Sequence, residues 1–282
     1  MSQLHSHIAK GKSSSKLLNR MKPMSKHLDI TPLIQNWHFD PAQVTARMVQ
    51  VEDEKLPQVQ LRLDLGILQM KLNGRPDGEE PHGYESALKY YRQRILTERR
   101  SGYRLDGDAC AELQQECVQV YYRYLALMVL KDFDRVIRDT VHSMDIFDLV
   151  EKYAESEDIM WDFLQFKPYV IMMNTRAKAE KLALDGQIDV AVEEIENGMN
   201  EIEAFLIKME DDPESVEDCQ ELAMLDDLIK DIRERGSEEN PVIALKQKLH
   251  HAVRAENYEE AAKLRDSIQK IEVQDAPQSI RS

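Results

Sequence analysis

Glycine and proline are scarce in this chain, ten of each among 282 residues. That shortage disfavours a turn-rich sandwich or barrel and favours long helices. Cysteine is rarer still: Cys110, Cys117 and Cys219 form neither a disulfide framework nor a metal-ligand spacing. Cys110 and Cys117 share one face of a helix and read as small buried hydrophobes. Positive charge is in deficit, with 37 Lys and Arg against 52 Asp and Glu and a formal net charge of −15. Neutralising phosphates needs a surplus of cations, so a general nucleic-acid binder is disfavoured. No apolar run approaches the length of a membrane span, and no signal-peptide core follows the N-terminal charges. The expectation is a soluble cytoplasmic protein.

Motifs that carry chemistry are missing as well. There is no HExxH, no G-x-S-x-G and no dinucleotide fingerprint. The "GKSS" at 11–14 lacks the earlier glycine of a phosphate loop, because Ser6 stands there, and no strand precedes it. His250 and His251 are adjacent, so on a helix they point about 100° apart and cannot chelate together. His82 reads as a residue leading into a helix. No catalytic residue, cofactor or metal is expected, and the chain reads as a non-enzyme.

What is present falls into five stretches. Residues 1–28 carry Lys10, Lys12, Lys16, Arg20, Lys22 and Lys26 and no acidic residue before Asp29. Such a segment cannot offset its ordering entropy, so a disordered basic tail is expected. A nucleic-acid arm, a transit peptide and an over-extended reading frame are its competing readings, and Met24 opens a plausible start. Residues 29–79 are expected to form a small antiparallel sheet. "VTARMVQV" and "VQLRLDLGILQMKL" alternate with period two, and the alternation slips at Gly66, which predicts a bulge or bend there. Asp64 reads as an edge charge. "NGRPDG" at 73–78 is a turn cluster, and Arg75 and Asp77 form either an exposed recognition loop or a structural turn.

Residues 80–235 read as a helical body, with an N-cap at Asp106 or Asp108 and Pro168 marking a kink or a first turn. "RERGSEENP" at 233–241 is the candidate linker into a C-terminal piece at 236–273, followed by a tail at 274–282. An internal repeat crosses these stretches. "KDFDRVI" from Lys131, "GQIDVAV" from Gly186 and "ENYEEAA" from Glu256 each place a bulky apolar residue third (Phe133, Ile188, Tyr258). Each then has a small or apolar residue sixth (Val136, Ala191, Ala261). This pattern predicts three helix-turn-helix hairpins. Around the middle copy, Ala179, Leu182, Gly186, Ala191 and Gly198 fall at offsets that resemble a tetratricopeptide repeat. The spacing to the first copy does not fit a tidy array, so a generic helical bundle stays open beside it.

In the third copy, Leu245, Leu249 and Ala252 form the first helix's apolar stripe. Tyr258, Glu259, Ala261, Ala262, Leu264, Arg265, Asp266 and Ile268 follow as its densest part. The alanines let two helices approach closely, and Leu264, Ile268 and Ile271 continue a stripe at helical spacing. A piece of about 40 residues is usually marginal alone, so this hairpin wants cover. The stretch resembles the UVR motif, a helical hairpin known from UvrB and UvrC and from some quality-control adaptors and chaperone ATPases. Val253 and Glu256 depart from the usual pattern, where alanine and leucine are common. The resemblance implies a protein partner with another UVR-type hairpin, or self-association, with Arg265 and Asp266 as polar determinants. It implies a link to nucleotide-excision repair or to chaperone and protease adaptation. The "RLDLGILQM" and "GRPDG" segments resemble those of bacterial UVR-motif proteins and imply no activity.

The expected fold class is therefore mainly α: tetratricopeptide-like hairpins, a small N-terminal antiparallel sheet and a C-terminal UVR hairpin. The expected function is that of an adaptor, with Leu245, Leu249, Tyr258, Glu259, Ala261, Ala262, Leu264, Arg265, Asp266 and Ile268 binding the partner. The alternative is a small-ligand binder or enzyme with a site between sheet and helices, around Arg62, Asp64, Arg75 and Asp77.

Overall fold

A computed structural model describes residues 29–52, 54–98, 102–210 and 218–238. Of the C-terminal segment it describes residues 245, 248, 249, 252, 257, 260 and 262–268. The basic tail expected at 1–28 and the tail at 274–282 lie outside the described residues. A short helix α1 (Thr31–Gln35) leads into three strands, β1 (Ala46–Val49), β2 (Gln58–Leu63) and β3 (Gly66–Lys71). They form one antiparallel sheet in the order β1-β2-β3.

Gly66 carries no bulge. Leu63 pairs with Gly66, Leu61 with Leu68 and Val59 with Met70, so the chain reverses at Asp64 and Leu65 in a tight hairpin. The slip in alternation marks a turn: reversing the chain makes odd positions on β2 face the same way as even positions on β3. Leu65 sits at the tip, 87% exposed, and Asp64 is a turn residue instead of an edge charge. Val59, Leu61, Met70 and Leu72 are buried and join the main core. The other face is tied by side-chain amides. Gln60 Nε2 donates to Gln69 Oε1 at 2.6 Å, Gln69 Nε2 donates to Gln58 Oε1 at 2.9 Å, and Arg47 Nε donates to Gln60 Oε1 at 2.8 Å.

After a 3-10 turn at Pro81–Gly83 the described chain is helical: α2 (Ala87–Thr97), α3 (Gly107–Val129), α4 (Phe133–Tyr153), α5 (Glu157–Leu164), α6 (Lys167–Leu184), α7 (Ile188–Glu210) and α8 (Gln220–Glu238). Ser86, Asp106, Asp132 and Ser156 accept from N–H groups of the first turns of α2, α3, α4 and α5. Pro168 sits in the first turn of α6, where its missing N–H costs nothing. α8 continues through Gly236 to Glu238, so the helix runs into the stretch 233–241 expected as a linker. α3 packs on the sheet and on α4, α4 on α6, and α6 on α7, with α8 against both α6 and α7. Central α6 is buried nearly all round, through Val170, Ile171, Met172, Met173, Asn174, Thr175, Ala177 and Ala179.

The repeat is visible in the turns. Asp132 N–H donates to Leu127 O at 3.0 Å and Gln187 N–H to Leu182 O at 2.9 Å. Lys131 N–H donates to Met128 O and Gly186 N–H to Ala183 O. Lys131 and Gly186 have φ of 57° and 74°. Both helices thus end in a Schellman closure whose left-handed residue is the first place of the repeat. The third place, Phe133 or Ile188, opens the returning helix and is buried, as is the sixth, Val136 or Ala191. Gly198 supplies the closest approach: a Cβ there would stand 2.1 Å from Thr175 Oγ1, so α6 and α7 cross at a distance that only glycine permits.

Candidate functional site

Two places concentrate polar side chains or exposed docking chemistry: the GRPDG loop against α3 and α4, and the C-terminal hairpin. On α3 the buried stripe runs Leu113, Glu116, Val120, Arg123, Tyr124 and Leu127. On α4 it runs Val136, Asp139, Thr140, Ser143, Ile146 and Phe147. Charges therefore occupy positions that the helical period assigns to the core. Each is paired. Arg123 Nε and Nη2 donate to Asp139 at 2.7 and 2.8 Å, and Arg123 Nη1 donates to the carbonyls of Lys71 and Gly74. Arg138 Nη2 also donates to Asp139.

Glu116, fully buried, accepts from Ala87 N–H at 2.7 Å and Leu88 N–H at 3.2 Å. It thereby caps the start of α2 from another helix. Arg75 Nη1 donates to its Oε2, and His142 Nε2 lies 2.8 Å from its Oε1. Burial alone would raise the Glu116 carboxyl. The His142 hydrogen bond and the two backbone N–H groups outweigh it and hold the group below the usual carboxylate range. Asp77 behaves alike: burial opposes ionisation, but Arg75, the Glu79 N–H and the Gln119 amide hold its carboxyl at about 2.

The loop is thus a structural turn. Arg75 is 8% exposed and is held by Asp77 and Glu116. A cavity of about 470 Å³ lies between this loop, α3 and α4, lined by Arg75, Glu116, Arg123, Arg138, Asp139 and His142 among others. Arg62 and Asp64 take no part in it. Arg62 Nε instead donates to Trp37 O at 2.8 Å and its Nη1 to Gly66 O. The four-residue site expected between sheet and helices is not brought together. Among the described residues no cluster of His, Cys, Asp and Glu is arranged to hold a metal ion. His82 stacks on Tyr90 at 4.0 Å and lies 2.9 Å from Glu112 Oε2, a packing role at the approach to α2. The sequence signal for the buried charges was present: Glu116, Arg123 and Asp139 interrupt otherwise apolar stripes.

In the C-terminal segment, Asn257 N–H donates to Ala252 O at 2.8 Å. The same hydrogen bond, from an N–H to the carbonyl five residues before it, ends α3 and α6. Asn257 Oδ1 then accepts from Glu260 N–H at 3.3 Å and caps the returning helix. Ala252 and Leu264 form a buried cluster with the partly buried Leu245 and Leu249, separate from the main core. Residues 239–274 match the family model of the UvrB/uvrC motif, UVR. The chain carries a UVR hairpin. No curated protein matches the chain, and neither does any solved structure.

The UVR hairpin places the expected partner-binding residues unequally. Leu264 and Ile268 are 8% and 6% exposed, so the seam expected to stay open is closed within the chain at these positions. Leu245 and Leu249 are half-buried, while Ala262, Arg265 and Asp266 are exposed. Arg265 Nη2 donates to Asp266 Oδ1 at 3.3 Å. Tyr258, Glu259 and Ala261 lie outside the described residues. Among the described residues no helix is long and apolar enough to cross a membrane.

Proposed function

We propose that the protein is a cytoplasmic adaptor that works by binding other proteins, not by catalysis, and that the UVR hairpin is its docking module. The observation that carries this reading is the hairpin's separate small core around Leu264 beside an exposed strip in which Ala262 adjoins the polar Arg265 and Asp266. An element of this size gains little from its own burial, so a partner hairpin laid along the strip adds the missing cover. The partner has UVR-type helices and meets Arg265 and Asp266 with opposite charges. The UVR motif is known from UvrB and UvrC, which supports a setting in nucleotide-excision repair. A chaperone or protease adaptor uses the same chemistry. The stacked hairpins of the body, with Ala179, Ala191 and Gly198 at their crossings, support a tetratricopeptide-like scaffold behind the module. The polar cavity beside Arg75 supports no turnover, because its guanidinium groups are engaged by carboxylates and carbonyls of the fold.

The test measures binding of the intact chain to an isolated UvrB UVR hairpin and to itself, by titration and sedimentation. Exchanging the charges (Arg265→Asp with Asp266→Arg) is expected to weaken either association roughly tenfold without unfolding the chain. Leu264→Asp tests something else, the folding of the hairpin, since Leu264 is inside it. If the native chain binds neither the UvrB hairpin nor a second copy, the docking reading is wrong.

A further inference from the structure

A second surface lies on the opposite side of α3 from the Arg75 loop. Tyr121, Tyr122 and Tyr169 form an aromatic wall, with Tyr121 ring centroids 5.3 Å from Tyr122 and 6.1 Å from Tyr169. The cleft they line measures about 600 Å³ and is bounded by α3, α4, α5, α6 and the start of α8. Asp162 and Glu221 are its only charged lining residues among those described, and both are acidic. Burial, then Tyr121, pushes the Tyr169 hydroxyl up to about 12, so that hydroxyl stays neutral. Val118, Trp161 and Phe166 leave apolar surface exposed at 49%, 40% and 54%, and Val118 and Phe166 belong to the cleft lining.

We infer that this cleft docks an apolar peptide segment of a protein partner through one lysine or arginine side chain. Aromatic rings attract a cation, and the two lining carboxylates reinforce that preference. A free small cation would occupy only a fraction of the cleft and leave Val118 and Phe166 uncovered, whereas a chain segment covers them. The surface is distinct from the UVR hairpin and gives the protein a second point of attachment.

The experiment probes the intact chain with nonapeptides whose central residue is each of the twenty amino acids, flanked by leucine and alanine. Arginine- and lysine-centred peptides are expected to bind roughly tenfold better than the glutamine-centred one. Asp162→Asn with Glu221→Gln is expected to erase that preference. Phe166→Ala, a change at an exposed side chain, is expected to weaken all binding while leaving the thermal transition in place. The Arg265 and Asp266 charge exchange leaves these affinities unchanged, which separates this surface from the UVR hairpin. Equal binding of charged and glutamine-centred peptides overturns the inference, as does no binding at all. Competition by free N-acetylarginine amide at the peptide's own concentration also overturns it, in favour of a small-molecule site.

Discussion

The body hairpins and the C-terminal UVR hairpin share one turn hydrogen bond and are covered in different ways. Leu127, Leu182 and Ala252 each accept from an N–H five residues on, and each turn leads into a returning helix. Beyond the turn the likeness ends. The α3–α4 hairpin has a buried charge lock to the sheet, and in α6–α7 the helix α6 is buried nearly all round. The UVR hairpin has a small apolar cluster and an ion pair in solvent, with Arg265 and Asp266 side chains 71% and 61% exposed. Hairpin geometry is therefore a local property, set by a few residues at the turn. Stability is a property of what lies outside the hairpin.

The largest effect should come from breaking the body's cover. Asp139→Ala leaves the Arg123 guanidinium buried with half its partners gone, since the two side chains are 4% and 1% exposed. Removing one member of such a pair is expected to cost about 3–5 kcal/mol, read as a lower urea midpoint for the whole body. The equivalent removal in the UVR hairpin has no such reach. Next comes the α6–α7 crossing. Gly198→Val drives side-chain carbon into Thr175, itself 3% exposed and unable to step aside. Overpacking of this kind is expected to cost about 1–3 kcal/mol and to lower Tm by several degrees, with helix content at low temperature retained.

How far each feature could be read in advance follows the same division. The turns at Lys131 and Gly186 were legible because a Schellman closure and its first apolar residue lie within seven positions. The Asp106 cap and the first-turn Pro168 were legible for the same reason. Gly66 was misread because a bulge and a two-residue hairpin both shift a period-two pattern by one, and only pairing distinguishes them. Arg75 and Asp77 were visible as turn residues, but their fate depended on Glu116 and Gln119, about 40 positions away. Leu264 was recognised as apolar stripe, yet whether Ala252 or a partner covers it is a question of three-dimensional contact.

A third effect separates the two regions by pH. Asp77 has its carboxyl at about 2 in the folded chain, below its ordinary value of 3.8. A depressed folded value contributes stability above about pH 4 that is lost as pH falls through about 2, on the order of 1–2 kcal/mol. Asp77→Asn is expected to flatten body stability across that window, measured by urea midpoints at a series of pH values. An unchanged pH slope would mean that the Arg75 lock does not form in solution.

The smallest effect is the sharpest on function. Exchanging the charges of Arg265 and Asp266 disturbs an exposed pair, and such pairs contribute about 0–1 kcal/mol. Thermal unfolding of the chain should therefore be unmoved, within error. Binding to a UVR hairpin should still fall, because a partner meets those charges after water has left. The body offers no comparable dissociation of stability from recognition: its buried charges, Arg123, Asp139 and Glu116, cannot be altered without destabilising what they hold. If the exchange lowered Tm as Asp139→Ala does, the UVR hairpin would be one more covered element of the body, and its polar strip would have no partner to wait for.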